Sequence, residues 1–354
     1  MIDIPIYTPK IAKWAVHSKY TSRIDESRIY SNGGFNVVDL EARLANYLGV
    51  KETNVVAVVN ATIALEGAFE TSNLPGTWNC PSWTFAATPS ALVRSRSDFE
   101  FTDVDSDWRI KLPLGNERLL VDVLPFGAKP RIEDYSADLR GVVIDAAASF
   151  DSIRSLEFGR YKSPLAFVTS FQATKSMPGA EGAIFFSTDI DWVQRMRRWI
   201  NFGFGHDRES QLVGTNGKMH EYSAALVLTS LDSWANDRKD WVAQMEWAKG
   251  ISQKFNLKST QAFDKGYVSP YWIIRGHPLE ISNIEKQFSH DRIQTRKWWG
   301  GGCHKMSAFR NIGKGDLSYT DTIEESYLGL PFFRELTDNE HNRIERSLEE
   351  SFSI

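Results

Sequence analysis

The run Val55-Val56-Ala57-Val58-Val59 is apolar throughout and almost wholly β-branched, with no polar residue at alternate positions. A strand of this kind has both faces covered, which is the situation of a strand inside a parallel sheet flanked by helices. Residues 62–70 then read as a helix, so the chain runs strand, tight turn, helix over sixteen positions. Residues 99–104, 119–124, 141–144, 166–171 and 183–186 are further strand candidates, separated by turns marked with Pro and Gly. Strands alternating with helices predict an α/β fold with a largely parallel sheet. No internal repeat of fixed period interrupts this pattern.

Helical spacing of Val37, Leu40, Leu44, Tyr47 and Leu48 predicts a helix that starts with Asn36 as its N-cap and stops at Gly49. The texture changes after about residue 230. A charged helical stretch over 234–255 leads into a mixed region, and a closing helix begins near Thr337, where Thr337 and Glu340 form a capping box and Ile344 and Leu348 an apolar stripe. We therefore expect a large domain over 1–235, including the N-terminal segment, and a smaller α+β domain over 236–354.

Function classes narrow with charge. Forty-one basic residues against forty-five acidic ones give a net charge of -4, and no basic block disposes the chain to nucleic acid or anionic membrane. Cys80 and Cys303 are too few for a disulfide framework or a cysteine-rich zinc site, and His17, His206, His220, His277, His290 and His341 lack metal-ligand spacing, so no metal site is expected. His206 follows the Gly-rich stretch 201–205, which reads as a surface turn. The N-terminus lacks the apolar core of a signal peptide and no stretch approaches the roughly 20 apolar residues of a membrane span, so a soluble, cytoplasmic protein is expected.

Five places could carry chemistry. Lys175 lies just beyond an apolar run, in Ser170-Phe171-Gln172-Ala173-Thr174-Lys175-Ser176, with Gly179 and Gly182 on its far side. A partly desolvated lysine in such a turn can serve as an imine-forming amine, although an ordinary solvated loop lysine looks the same. Asp145 ends the run Val142-Val143-Ile144, at the strand edge where ligands bind in parallel sheets. A carboxylate there can keep a pyridine nitrogen protonated, or simply cap the next segment. The turn Asn60-Ala61-Thr62 offers helix N-terminal amides and a hydroxyl to a phosphate, and Trp83 in Cys80-Pro81-Ser82-Trp83-Thr84-Phe85 offers a face to a flat heterocycle. The run 295–305, rich in cations, indoles and glycine, could stack on a nucleotide base or bind its diphosphate, or be a structural loop.

Taken together these segments resemble the DegT/DnrJ/EryC1/StrS aminotransferases. The resemblance rests on Tyr30-Ser31-Asn32-Gly33-Gly34, Asn60-Ala61-Thr62-Ile63-Ala64-Leu65, Pro81-Ser82-Trp83-Thr84-Phe85, Asp145-Ala146-Ala147, Ser170 through Lys175, Glu181-Gly182 and Gly214-Thr215-Asn216-Gly217-Lys218-Met219, in that order over about residues 25–235. It implies an aspartate-aminotransferase-type (fold type I) seven-stranded, mostly parallel sheet with a smaller C-terminal domain, a pyridoxal 5'-phosphate (PLP/PMP) cofactor, and a homodimer with shared active sites. It further implies that Lys175 forms the Schiff base and shuttles the proton, that Asp145 holds the pyridinium nitrogen and that Trp83 stacks on the ring. Ala61, Thr62 and Ser170 become phosphate contacts, with Asn216 reaching the partner subunit's cofactor. Tyr30, Asn32, Gly33, Phe126, Lys218 and Glu181 become substrate contacts.

The implied reaction is amination of a nucleotide-linked keto-deoxysugar, a dTDP-4-keto-6-deoxyhexose at C4, with L-glutamate as amino donor. C3 amination, a dehydratase, an inositol-type aminotransferase or a non-catalytic scaffold are the alternatives. Retention of Lys175 opposes the dehydratase branch, which carries His there. The chain departs from the family pattern at Ile144, where an acidic residue is frequent, at Ala148, where Gln or His is usual, at Leu124, where His is common, and at Lys218, where Arg is common.

Overall fold

Seven strands form one sheet in the computed structural model, which describes every residue except 1, 13–17, 113–117, 136–138, 155, 157–160, 162, 206 and 354. The strands are β1 (Val55–Val58), β2 (Trp78–Pro81), β3 (Phe99–Thr102), β4 (Leu119–Val123), β5 (Gly141–Asp145), β6 (Leu165–Ser170) and β7 (Ala183–Ser187). They lie in the order β1-β7-β6-β5-β4-β2-β3. The neighbours from β6 through β3 pair parallel, whereas β7 runs antiparallel to both β6 and β1. Successive side chains along a strand point to opposite faces. Val55, Ala57, Leu120, Val142, Ile144 and Phe167 accordingly enter one core, and Val56, Val58, Val121, Val143, Ala166 and Val168 the other. That is why these runs read as continuously apolar.

Strand β2 escapes sequence pattern because Trp-Asn-Cys-Pro neither alternates nor tolerates a full ladder. Its pairing with β4 extends only over Trp78 and Asn79, so Pro81, which lacks an N–H, has no donor to supply on that side.

The helices are α1 (Ser18–Ser27), α2 (Phe35–Leu48), α3 (Ala61–Glu70), α4 (Ala87–Arg94), α5 (Ile190–Trp199), α6 (Glu221–Lys254), α7 (Gln261–Asp264), α8 (Pro278–His290), α9 (Thr320–Ile323) and α10 (Asp338–Ser351). A two-stranded antiparallel sheet of β8 (Trp272–Arg275) and β9 (Tyr327–Leu330) makes the smaller C-terminal part, with α8 against β9, the long α6 against β8, and α10 packed on α8. The expected α/β architecture, with its seven-stranded mostly parallel sheet, is borne out, as is the Thr337–Glu340 capping box of α10.

Three local features differ from expectation. Asn36 is not the cap of α2: Gly34 is, and the Glu221 carboxylate accepts the N–H groups of Asn36 (2.7 Å) and Val37 (3.4 Å). A distant carboxylate thus satisfies amides that a local side chain would otherwise cap. Gly34 permits this approach, since a Cβ there would sit 2.7 Å from Glu221 Cδ. The boundary expected after residue 235 falls inside α6, which is one unbroken helix of 34 residues. Finally, the N-terminal segment joins the C-terminal part: Asp3 N–H donates to Arg292 O, Gln294 N–H to Ile4 O, and Phe332 N–H to Ile6 O.

Candidate active site

A cavity of about 660 Å³ opens at the C-terminal ends of β4, β5 and β6, the sheet edge at which parallel α/β folds bind ligands. Its walls come from both parts of the chain, and among them are Asp145, Lys175, Ala61, Thr62, Ser170, Glu181 and Phe126.

Asp145 ends β5 with 6% of its surface exposed. One carboxylate oxygen accepts the Thr88 hydroxyl (2.7 Å) and the other the Ala147 N–H (3.1 Å). Burial pushes its pKa up, against the opposing pull of those two donors and of the Lys175 charge. A buried carboxylate in this state gains from a cationic N–H partner.

Lys175 sits half-buried in the turn after β6, its backbone N–H donating to Gln172 O and its Nζ donating to the Tyr271 hydroxyl at 3.1 Å. Glu181 shares this wall; burial raises its pKa and the Lys175 charge lowers it.

The opposite end is built for an anion. Asn60 caps α3 by accepting the Ile63 N–H at 2.9 Å, which leaves the Ala61 and Thr62 amides, the Thr62 hydroxyl and the Ser170 hydroxyl at the cavity. The first helical amides have no intrahelical acceptor and lie at the positive end of the helix dipole.

Trp83 is elsewhere. Its indole is fully buried, packed against Trp108 (ring centroids 4.4 Å), Trp299 (4.5 Å), Tyr327 (5.3 Å) and Phe126 (5.8 Å), and its N–H donates to Gly300 O. It does not line the cavity; Phe85, two residues on and 61% exposed, does. The expectation of a ring-stacking Trp83 is corrected here: beyond Pro81 the larger indole goes to an aromatic core and the smaller ring faces the opening. Phe126, at positive φ (51°) in the turn Pro125–Gly127, stacks on Trp299 at 4.7 Å and 17°. Gly127 allows this turn because a Cβ would meet Ser269 Cβ at 3.0 Å.

The run 295–305 delivers Arg296, Lys297, Trp298 and Trp299 to the cavity wall. The Arg296 guanidinium lies 4.9 Å from the Trp298 ring and 5.7 Å from the Tyr7 ring. Sequence reasoning missed Tyr7, Tyr271 and Gln172, which also line the cavity. Gln172 stood inside a flagged motif, whereas the two tyrosines carry no local signal and arrive only through the C-terminal part and the N-terminal segment hydrogen-bonded to it.

Besides Trp83, five further expected site residues lie away from this cavity. Tyr30, Asn32 and Gly33 are exposed in the turn before α2, with Asn32 and Gly33 at positive φ. Asn216 is exposed and bridges Asn201, and Lys218 bridges Val58 with its Nζ 4.5 Å from the Phe202 ring and its pKa lowered by burial. Of the departures from family pattern, Leu124 and Ala148 line the cavity and make it more apolar, whereas Ile144 points into the core. No group of three or more metal-ligating side chains occurs among the described residues. His17 and His206 lie outside the described residues.

The donor set fits pyridoxal phosphate: a buried carboxylate for a pyridinium N–H, an amine for the aldehyde carbon, an aromatic face, and a helix N-terminus with two hydroxyls for the phosphate.

Comparison with known proteins bears on the same point. The profile of the DegT/DnrJ/EryC1/StrS aminotransferase family matches residues 15–113 and 131–349. The dTDP-4-amino-4,6-dideoxy-D-glucose transaminase of Shigella dysenteriae is 24% identical, over 90% of this chain and 91% of its own. The crystal structure of DesI in the presence of its TDP-sugar product superposes with a TM-score of 0.79 at 26% identity, over 97% of this chain and 91% of that one. NtdA of Bacillus subtilis, solved with bound PMP, superposes with a TM-score of 0.81 at 16% identity, over 96% and 82%. The chain belongs to the DegT/DnrJ/EryC1/StrS aminotransferase family and is a PLP-dependent sugar aminotransferase.

Proposed function

We propose that this aminotransferase converts a nucleotide-linked keto-deoxysugar, a dTDP-4-keto-6-deoxyhexose aminated at C4, to its amino sugar with L-glutamate as amino donor, acting as a cytoplasmic homodimer. The observation that carries the reading is the meeting of Asp145, Lys175 and the N-terminus of α3 in one cavity, although they come from three different strand ends. The transaminase of Shigella dysenteriae and the TDP-sugar complex of DesI support the sugar and its nucleotide.

Bound PLP supplies an electron sink that makes the substrate's C–H bond acidic. The remaining work falls to side chains. Asp145 holds the ring N–H, and its buried carboxylate, already short of solvent, strengthens that contact. Lys175 Nζ is the amine that would anchor the cofactor through its aldehyde carbon and, when free, would take the proton from one reacting carbon and deliver it to the other. The Ala61 and Thr62 amides and the Thr62 and Ser170 hydroxyls hold the phosphate. Phe85, rather than Trp83, covers the ring face. Leu124, Phe126 and Ala148 present an apolar wall suited to a sugar that has lost a hydroxyl. Arg296, which has no carboxylate partner among the described residues, and Lys297, 3.4 Å from Glu285, offer positive charge to a diphosphate.

Exposed Ile29, Tyr30, Phe35 and Val38 support a second copy docking on the surface that carries the Tyr30–Gly34 turn. In that arrangement Tyr30, Asn32, Gly33, Asn216 and Lys218 serve the partner's site. Among the described residues no helix is long and apolar enough to cross a membrane.

The test is an absorbance spectrum of purified protein before and after excess L-glutamate, with Lys175→Ala beside it. A visible band that needs Lys175 and that glutamate shifts supports cofactor, anchor and donor together. A protein that takes up no added PLP sinks the catalytic reading in favour of a scaffold. Nucleotide-sugar specificity is then read by supplying dTDP-4-keto-6-deoxyglucose and its 3-keto isomer and analysing which carbon gains nitrogen.

A further inference from the structure

We propose that Tyr271 is a further catalytic residue of this site, the hydrogen-bond partner that holds the Lys175 amine in place while that amine is free to handle the substrate's proton. This rests on the assignment of Lys175 as the imine-forming lysine. The Tyr271 hydroxyl lies 3.1 Å from Lys175 Nζ and has no other hydrogen-bond partner among the described residues. Both groups line the same cavity. A phenol suits the task because its oxygen accepts from an ammonium and its O–H donates to a neutral amine, so one partner serves both protonation states of the lysine. The proton balance is complete without Tyr271 changing charge: Nζ gains the proton as the C–H bond breaks and loses it when the new C–H bond forms.

Tyr271 is also held firmly. Its backbone N–H donates to Ser269 Oγ at 3.0 Å, and its carbonyl accepts the hydroxyls of Ser269 (3.0 Å) and Thr260 (3.1 Å). Thr260 in turn accepts the Ile273 N–H at 2.9 Å, tying the residue to the start of β8. The ring packs edge-on against Trp298 (4.8 Å, 78°) and Phe126 (5.5 Å, 71°). A phenol fixed in this way presents its hydroxyl in one direction, which is what a preorganised partner requires. Because Lys175 follows β6 and Tyr271 precedes β8, the contact also joins the two parts of the chain across the cavity.

Tyr271→Phe keeps the ring and removes the hydroxyl. The PLP-loaded variant should keep its visible band and melt within about 2 °C of the parent, but the pH at which the band titrates should move by more than about half a unit. In the glutamate half-reaction kcat should fall about tenfold to a hundredfold with little change in KM. Tyr271→3-fluorotyrosine, which alters only the acidity of the phenol, should move the titration by an intermediate amount. Band titrations that superpose for all three proteins would overturn the inference. Lys175→Ala separates the two failures: if it still forms the band, the reading of Lys175 is wrong, whereas loss of the band with an unaltered Tyr271→Phe removes only the role of Tyr271.

Discussion

Replacement of Asp145 by Asn tests the electrostatics of the site with almost no change of shape. The side chain is 6% exposed, and both carboxylate oxygens already have protein donors, Thr88 and the Ala147 N–H, which an amide can satisfy in part. What Asn removes is the negative charge that, in the proposed reading, would face the pyridinium nitrogen. Deleting one partner of a buried ion pair costs about 3–5 kcal/mol. If that loss falls on the transition state, the rate drops by about 10² to 10⁴. The assay is single-turnover conversion of the visible band by L-glutamate, compared with the parent at saturating PLP. The same variant should behave oppositely without cofactor. Burial raises the Asp145 pKa above its value in the unfolded chain. The folded state therefore binds the proton more tightly, a contribution present below about pH 4 and lost as pH rises through the folded value. At neutral pH the buried carboxylate, hydrogen-bonded but with no ion-pair partner in contact among the described residues, burdens the cofactor-free fold, so cofactor-free Asp145→Asn should melt no lower than the parent, while PLP raises the parent's melting temperature more. A variant that turns over within about fivefold of the parent, or that gains as much stability from PLP, would refute the reasoning.

Trp83→Ala and Phe85→Ala should part company: the first empties the centre of an aromatic core and should lose about 3–5 kcal/mol of stability in denaturant melts, while the second should leave stability nearly unchanged and weaken PLP affinity in a titration of the visible band. Equal stability losses would mean that the two rings have been assigned to the wrong sides. His304 lies with Nδ1 2.6 Å from Ser82 Oγ and Nε2 3.1 Å from Asp321, near Lys305 and Lys314, and burial lowers its pKa. The folded state then prefers the neutral ring, so stability should fall as pH drops below about 6.5. His304→Gln should lack this component, and parallel melting curves between pH 7.5 and 5 for the two proteins, about one unit either side of the unperturbed value, would contradict it.

Apolar runs announced six of the seven sheet strands: most are covered on both faces and have no polar face to disguise them, whereas β3, Phe-Glu-Phe-Thr at the sheet edge, is only partly covered. The order of the motifs carried the family, and the strand-end aspartate and post-strand lysine were legible because chemistry at a parallel sheet is tied to strand ends, which periodicity locates. Capping of α10 was legible because Thr337 and Glu340 act within one turn. Where the partner is far along the chain, local reading failed. The amides of α2 are capped by Glu221, not by Asn36. Trp83 and Phe85 follow a strand whose alternation ends at Pro81, so which ring meets the cavity was decided by the aromatic core formed with Trp108, Trp299 and Tyr327. Tyr271 meets Lys175 only when the C-terminal part folds over the sheet edge. Sequence determined the elements and the reactive groups, because those are set by neighbours along the chain. Tertiary structure decided the facing of rings and the hydrogen-bond partner of the Lys175 amine, because those depend on contacts that no local pattern encodes.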